Sequence, residues 1–86
     1  MASEVAIIET VKSYILEEFL PGEDPAALTE STPLISSGVL DSISVLKVVN
    51  FLEDTFQVSV APHEADAEHL DTLKDIAALV ASKLAT

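Results

Sequence analysis

Apolar residues recur every three or four positions along most of this 86-residue chain, which is the spacing of an α-helical face. From this spacing we expect helices at about residues 4–19, 42–56, 62–68 and 72–84. The buried stripes expected for the three longer helices are Val5, Ile8, Val11, Ile15 and Phe19 in the first, Leu46, Val49, Leu52 and Phe56 in the second, and Leu73, Ile76, Ala77, Val80 and Leu84 in the last.

The expected fold is an all-α bundle of four helices, with a long loop between helices 1 and 2 and a short helix 3. Pro62 suits the first turn of that short helix. Val58 and Val60 alternate with a polar residue as in a strand, but no partner strand is evident, so we interpret them as loop residues. The length favours a single domain over residues 1–86.

The connection at residues 21–41 is rich in Pro, Gly, Ser, Thr and acidic residues, which predicts a loop. A loop of this length is unusual in a compact domain and is often functional. Several of its five scattered large apolar residues are expected to pin it against the helices; the five are Leu28, Leu34, Ile35, Val39 and Leu40. The loop ends at Asp41, a favoured residue type for the N-cap of the second helix.

The net charge of -11, with only four basic residues, limits the classes of partner. Phosphate backbones and anionic membrane surfaces repel such a chain, whereas basic patches on other proteins attract it. A role of the acidic residues in solubility alone stays open. No apolar run approaches the ~20 residues of a membrane span, and we expect a cytoplasmic monomer. The absence of cysteine means that sulfur chemistry requires an attached group.

A short motif at the predicted start of the second helix is accompanied by three other segments that belong to one sequence pattern. Residues 38–43 read GVLDSI, and residues 51–56, at the end of the same helix, read FLEDTF. An upstream TPL at 32–34 and a downstream LDTLKDI at 70–76 complete the pattern. An Asp-Ser pair alone is typical of an ordinary helix start. Together, in this order and spacing, these segments make the whole chain resemble the acyl and peptidyl carrier protein family, in its free-standing form.

The resemblance implies that Ser42 carries 4′-phosphopantetheine, transferred from coenzyme A by a phosphopantetheinyl transferase. It gives Asp41 a role in capping the helix and in recognition by the transferase. A phosphodiester is favoured at a helix N-terminus by the helix dipole and by unpaired backbone N–H groups. Acyl or aminoacyl groups would be held as thioesters in fatty acid, polyketide or nonribosomal peptide synthesis, and the carrier itself would catalyse nothing.

The resemblance also implies the partners and the surface that meets them. Beyond the transferase, these are a loading ligase or adenylating enzyme and a downstream synthase or transferase. The residues expected to face them are Leu40, Ile43, Lys47, Asn50, Glu53 and Asp54. For Ile43, core packing stays an equal alternative. Lys47 and Asn50 depart from the pattern of fatty acid synthase carriers, which argues against docking to the basic patches of that system. The TPL and GVLDSI segments are more similar to free-standing carriers of aminoacyl or specialised acyl groups.

Three other functions were weighed against a carrier. An unmodified acidic helical interaction module would share the fold and would have no need of a hydroxyl at residue 42. A serine hydrolase needs a base, but the chain has only His63 and His69 and lacks a Gly-x-Ser-x-Gly motif. The histidines are six residues apart, and a regular helix would point them in different directions, so we expect no metal site among them and the nearby acids Glu64, Asp66, Glu68 and Asp71.

Overall fold

The computed structural model describes residues 4–84, and this part of the chain contains helices and no strand. Its four α-helices are α1 (Glu4–Phe19), α2 (Ser42–Phe56), α3 (Ala67–Leu70) and α4 (Leu73–Leu84), with 3₁₀ turns at Pro25–Ala27 and Pro62–Glu64. The all-α class with four helices, a long first connection and a short third helix is therefore confirmed. Val58 and Val60 lie in a loop, as expected. Ser3, a possible cap for α1, lies outside the described residues.

The buried face of α1 follows a spacing of four residues through Ile7, Val11 and Ile15. Val5, expected in the stripe, is instead 66% exposed. An α-helix has 3.6 residues per turn, so Val5, two residues before Ile7, lies on nearly the opposite side of the helix. After α1 the chain turns at Gly22, whose φ of 86° is in the left-handed region that suits glycine.

The buried face of α2 consists of Val45, Val48, Val49 and Leu52, and this face closes onto the core. Leu46, expected in the stripe, is 60% exposed. Its neighbours in the buried face are one residue before it and two or three after it, so Leu46 lies at the flank of that face. The residue after the helix, Gln57, takes the left-handed conformation that is common at helix C-termini.

The prediction of one continuous helix at 62–68 is wrong. A 3₁₀ turn at Pro62–Glu64 is followed by the separate helix α3, which begins only after Asp66. Asp66 is extended (φ −141°, ψ 177°), and its Oδ1 accepts a hydrogen bond from the backbone N–H of His69 at 3.1 Å. An aspartate in this cap conformation ends one helical segment and starts the next.

Polar contacts hold both ends of α4. Thr72 Oγ1 accepts a hydrogen bond from the N–H of Asp75 at 3.0 Å, which caps the start of α4. Lys83, near the other end of α4, places its Nζ 2.8 Å from Glu64 Oε1 in the 3₁₀ turn. Both side chains are partly buried, and this ion pair joins the segment before α3 to α4.

The long connection between α1 and α2 is pinned to the core, as predicted. Leu28, Leu34 and Leu40 are buried, and Ile35 and Val39 are half-buried. These residues anchor a loop that has little regular structure of its own.

The aromatic contacts of Tyr14 join α1 to α2. Its ring stacks on Phe51 with centroids 4.0 Å apart and 12° between planes, and meets Phe19 edge-on at 5.9 Å. The hydroxyl donates to the backbone oxygen of Lys47 at 3.3 Å. The hydrogen bond and the stacked ring together set the position of α2 against α1. Within residues 4–84, no helix has the length and apolar content to cross a membrane.

Candidate functional site

The loop rises from the core to the surface just before α2. Gly38 has a φ of 88°, which turns the chain, and the N–H of Leu40 donates to the backbone oxygen of Leu34 at 2.9 Å. Leu40 is 2% exposed, whereas the next two residues, Asp41 and Ser42, are exposed. A buried anchor therefore presents Asp41 and Ser42 at a fixed corner of the surface.

Asp41 holds the N-terminus of α2 at this corner. Its backbone is extended, and its Oδ1 accepts a hydrogen bond from the N–H of Ser44 at 2.8 Å. That backbone hydrogen bond is the main cause of the lowered pKa of Asp41. The carboxylate stays ionised and stabilises the positive end of the helix.

The serines around the corner differ in what their hydroxyls contact. Ser36 Oγ donates to Asp71 Oδ2 at 2.8 Å, and Ser37 Oγ donates to the backbone oxygen of Pro33 at 2.6 Å. The half-buried Ser44 is engaged with Asp41 through its side chain as well as its N–H. The exposed hydroxyl of Ser42 has no hydrogen-bond partner among residues 4–84. Among these four serines, Ser42 is therefore the one most available to another enzyme.

A groove of about 400 Å³ runs beside Ser42. One side is formed by the loop, the floor by α2 and the other side by the segment that leads into α3. The lining residues are Ile35, Leu40, Asp41, Ser42, Val45, Leu46, Ala65, Asp66 and Ala67. The groove is mainly apolar and carries an acidic residue on each side, so it can accommodate a flexible chain attached at Ser42.

The outer face of α2 carries four of the six residues predicted to meet partners. Ile43, Lys47, Asn50 and Asp54 are exposed and follow one another at spacings of four, three and four residues, so they share one side of the helix. Ile43 is 68% exposed, which contradicts the alternative that it packs in the core.

The other two predicted partner-facing residues serve the fold. Leu40 is buried, and its assignment to the partner surface is wrong because it anchors the loop. The half-buried Glu53 accepts a hydrogen bond from the N–H of Val60 at 2.9 Å through Oε2. Its carboxylate therefore holds the loop after α2 and is not free for a partner.

Sequence reasoning missed two residues near the corner. Leu46 is exposed at the edge of the groove, and Asp71 accepts hydrogen bonds from the loop before α2. A helical projection centred on the valines of α2 would have placed Leu46 at the flank. No local signal identifies the contacts of Asp71, because its bonding partners lie 35 to 37 residues earlier in the chain.

The acidic segment around α3 brings Asp66, Glu68 and His69 together, with possible ligand atoms within 4.8 Å of one another. His69 Nδ1 lies 2.9 Å from Asp66 Oδ1. This hydrogen bond is the first cause of both the lowered pKa of Asp66 and the raised pKa of His69. The contacts account for the cluster as the start of α3, and we assign it no ligand.

Comparison with known proteins agrees with this geometry. The family described as the phosphopantetheine attachment site matches residues 15–80. The probable acyl carrier protein PigG of Serratia sp. (strain ATCC 39006) is 31% identical over 68 residues, which are 79% of this chain and 77% of PigG. The solved structure of apo KstB-PCP superimposes with a TM-score of 0.68 at 29% identity, covering 93% of this chain and 88% of that one.

The chain belongs to the phosphopantetheine-attachment family of carrier proteins. The covalent cofactor of this family is 4′-phosphopantetheine, and its members work with phosphopantetheinyl transferases and biosynthetic enzymes. When attached, the cofactor supplies a terminal thiol that holds an acyl group as a thioester.

The corner of α2 fits such a group. The exposed hydroxyl of Ser42 can form the phosphodiester, and the first-turn N–H groups of a 15-residue helix favour the resulting negative charge. The adjacent groove offers apolar surface to the arm. No cysteine is present in the chain to compete with the thiol.

Proposed function

We propose that this chain is a single-domain carrier that holds acyl or aminoacyl intermediates as thioesters on a 4′-phosphopantetheine arm attached to Ser42. The observation that carries the assignment of Ser42 is its exposed hydroxyl at the start of α2, without a partner among residues 4–84, where the neighbouring serines are engaged.

Attachment requires Ser42 Oγ to attack the phosphorus of coenzyme A that bears the pantetheine. A phosphodiester bond forms at Oγ, and the pyrophosphate bond of coenzyme A breaks. Adenosine 3′,5′-bisphosphate leaves with the electrons of that bond, and the serine proton passes to a base that the transferase supplies. The chain contributes the position of the hydroxyl and, through Asp41, a rigid helix start.

The chain itself catalyses nothing in this proposal, and its partners perform each chemical step. The partners are the transferase, a loading ligase or adenylating enzyme, and a downstream synthase or transferase. Tethering raises the effective concentration of the acyl group at a docked partner. We place this work in the cytoplasm, where coenzyme A is available.

Specialised metabolism is the pathway type that we favour over fatty acid synthesis. The similarity to PigG and to KstB-PCP supports this choice. So does the outer face of α2, where Lys47 and Asn50 are exposed at positions at which fatty acid synthase carriers have acidic and apolar residues. We propose that Ile43, Lys47, Asn50 and Asp54 contact the partner enzymes.

Intact mass spectrometry tests the attachment. Purified chain is incubated with coenzyme A, Mg²⁺ and a promiscuous phosphopantetheinyl transferase, and we expect a mass gain of one phosphopantetheinyl group. Ser42→Ala abolishes the gain, whereas Ser37→Ala and Ser44→Ala retain it. An unchanged mass of the wild type would favour the alternative, an unmodified acidic helical interaction module. A label on Ser37 or Ser44 would overturn the assignment of Ser42.

A further inference from the structure

Asp71, between α3 and α4, binds the loop that precedes Ser42. Its Oδ1 lies 3.2 Å from the N–H nitrogen of Leu34, 2.9 Å from that of Ile35 and 2.9 Å from that of Ser36. Its Oδ2 accepts from Ser36 Oγ at 2.8 Å. The backbone oxygen of Asp71 also accepts from the N–H of Leu34 at 2.6 Å. We call these contacts the Asp71 network.

The network is built like the cap of a helical turn, although its parts are distant in sequence. The chain turns over residues 35–38, where the N–H of Gly38 donates to the oxygen of Ile35 at 3.1 Å, and Asp71 covers the N–H groups at the start of that turn. Hydrogen bonds to an ionised carboxylate are stronger than those between neutral groups. The N–H of Ser36 is the first cause of the lowered pKa of Asp71, so the carboxylate is ionised at neutral pH.

A short path of contacts leads from the network to Ser42. The oxygen of Leu34 accepts the hydrogen bond from the N–H of Leu40, and both leucine side chains are buried. Leu40 is followed directly by the cap Asp41 and by Ser42. A shift of the turn held by Asp71 therefore moves the anchor on which the exposed corner rests.

The same network joins the two sides of the groove beside Ser42. Ile35 and Leu40 form the loop side, and Ala65 and Ala67 belong to the side that leads into α3. Asp71 directly follows α3 and bonds to the N–H of Ile35. The distance between the two sides of the groove thus depends on this carboxylate.

We propose that Asp71 is a positioning residue for the transfer of phosphopantetheine to Ser42, acting through the loop at residues 34–41. This inference rests on the function proposed above. It assigns to Asp71 the fixed orientation of the corner that the transferase must recognise, while stability of the helices depends mainly on the apolar core.

The test compares transferase kinetics of Asp71→Ala and Asp71→Asn with the wild type, well below the melting temperature of each. We expect kcat/KM for the carrier to fall by about tenfold or more in Asp71→Ala, since small misplacements of reacting groups are costly, with the KM for coenzyme A unchanged. Asp71→Asn keeps an oxygen acceptor for the three N–H groups and is expected to recover part of the rate.

Two matched controls separate positioning from loss of stability. Val11→Ala removes buried volume from α1 and lowers stability, while it removes no donor or acceptor of the network. Asp24→Ala removes an aspartate from the connection between α1 and α2, whose Oδ1 accepts a local hydrogen bond from the N–H of Ala26 at 2.9 Å. Both are expected to load at the wild-type rate.

Hydrogen exchange gives a readout that does not depend on loading. In Asp71→Ala the N–H groups of residues 34–36 are expected to exchange about tenfold faster or more, with α1 still protected. Loading of Asp71→Ala at the wild-type rate overturns the proposal, and so does equal slowing by Val11→Ala. If the wild type gains no mass, the proposed function fails and the role in transfer fails with it, while exchange at residues 34–36 still decides whether the network exists.

Discussion

The two sides of α2 have similar apolar side chains but different surroundings. Val48 and Leu52 are fully buried on the inner side, whereas Ile43 and Leu46, near Ser42, are more than half exposed. Hydrophobicity alone therefore does not distinguish the residues of α2 that pack in the core from those that stay exposed. The distinction comes from what the rest of the chain places against each side.

Ile43 and Leu46 are exposed beside the proposed attachment site, which supports a role in recognition by partner enzymes. Apolar side chains that stay exposed on the outer side of a helix bury little surface on folding, so they contribute little to stability. On α2 they are followed by Lys47, Asn50 and Asp54 on the outer side. This side combines an apolar anchor with a polar rim, which is the composition of a docking surface.

The largest effect is expected from a matched pair of leucines. Leu52→Ala creates a cavity in the core and is expected to lower the free energy of unfolding by about 2–5 kcal/mol. Leu46→Ala removes an exposed side chain and is expected to stay within about 0.5 kcal/mol of the wild type. Urea unfolding measures both. Equal losses would show that Leu46 is covered in solution and would remove the difference between the two sides.

The reverse ranking is expected for partner enzymes. Ile43→Ala combined with Leu46→Ala is expected to lower kcat/KM of a loading or downstream enzyme by about tenfold, because apolar anchors dominate interfaces. Val5→Ala is the control, since Val5 is an apolar residue of similar exposure on α1. Normal transfer by the double variant, measured on the loaded protein, would contradict a docking role for this side.

The contribution of the start of α2 to the stability of the fold is expected to depend on pH, unlike the contribution of its buried side. The pKa of Asp41 is lowered in the folded state, so the unfolded chain binds this proton more tightly. The carboxylate therefore stabilises the fold above the ordinary pKa of an aspartate, and this contribution is lost as the pH falls through the lower folded value.

Melting curves of wild type and Asp41→Ala across this range test the dependence. The difference in melting temperature is expected to be largest near neutral pH and to shrink in acid. In Leu52→Ala the loss persists, because it does not involve a titrating side chain. A difference for Asp41→Ala that stays constant into acid would exclude the charged cap as its cause.

The smallest effect is expected from reversing a charge on the outer side. Lys47→Glu is expected to change the preference among partner enzymes by a few-fold, mainly through the association rate, and to leave stability nearly unchanged. Lys74→Glu on α4 changes the net charge by the same amount and is the control. The effect should weaken as salt is raised. Identical kinetics of both variants with every partner enzyme would show that the partners do not recognise Lys47.

Local signals in the sequence were sufficient for the helices and for the corner. The spacing of apolar residues predicted the four-helix class, and Asp41 before an apolar stretch predicted the helix start. Both rest on interactions between residues a few positions apart. The split of the segment at 62–68 was missed because Asp66, itself a local cap signal, was read as part of a helix.

Long-range packing explains what the sequence did not reveal. From the sequence, Leu40 had two expected roles, loop anchor and partner-facing residue, and the elements that cover it decide for the anchor. The exposure of Leu46 likewise depends on which elements lie against it. The Asp71 network joins residues more than 30 positions apart, and a lone aspartate in a connection gives no indication of such partners. The proposal of attachment at Ser42 began from family resemblance, since an Asp-Ser pair is ordinary at helix starts.

The stacking of Tyr14 on Phe51 gives the protein an intrinsic optical probe. Tyr14 is the single tyrosine, and the chain has no tryptophan. Because the ring lies against α2 and its hydroxyl bonds to the backbone there, near-ultraviolet absorption, emission and circular dichroism report on the gap between the first two helices. A change in the packing of α2 against α1 would therefore alter a signal of the chain itself, without any added label.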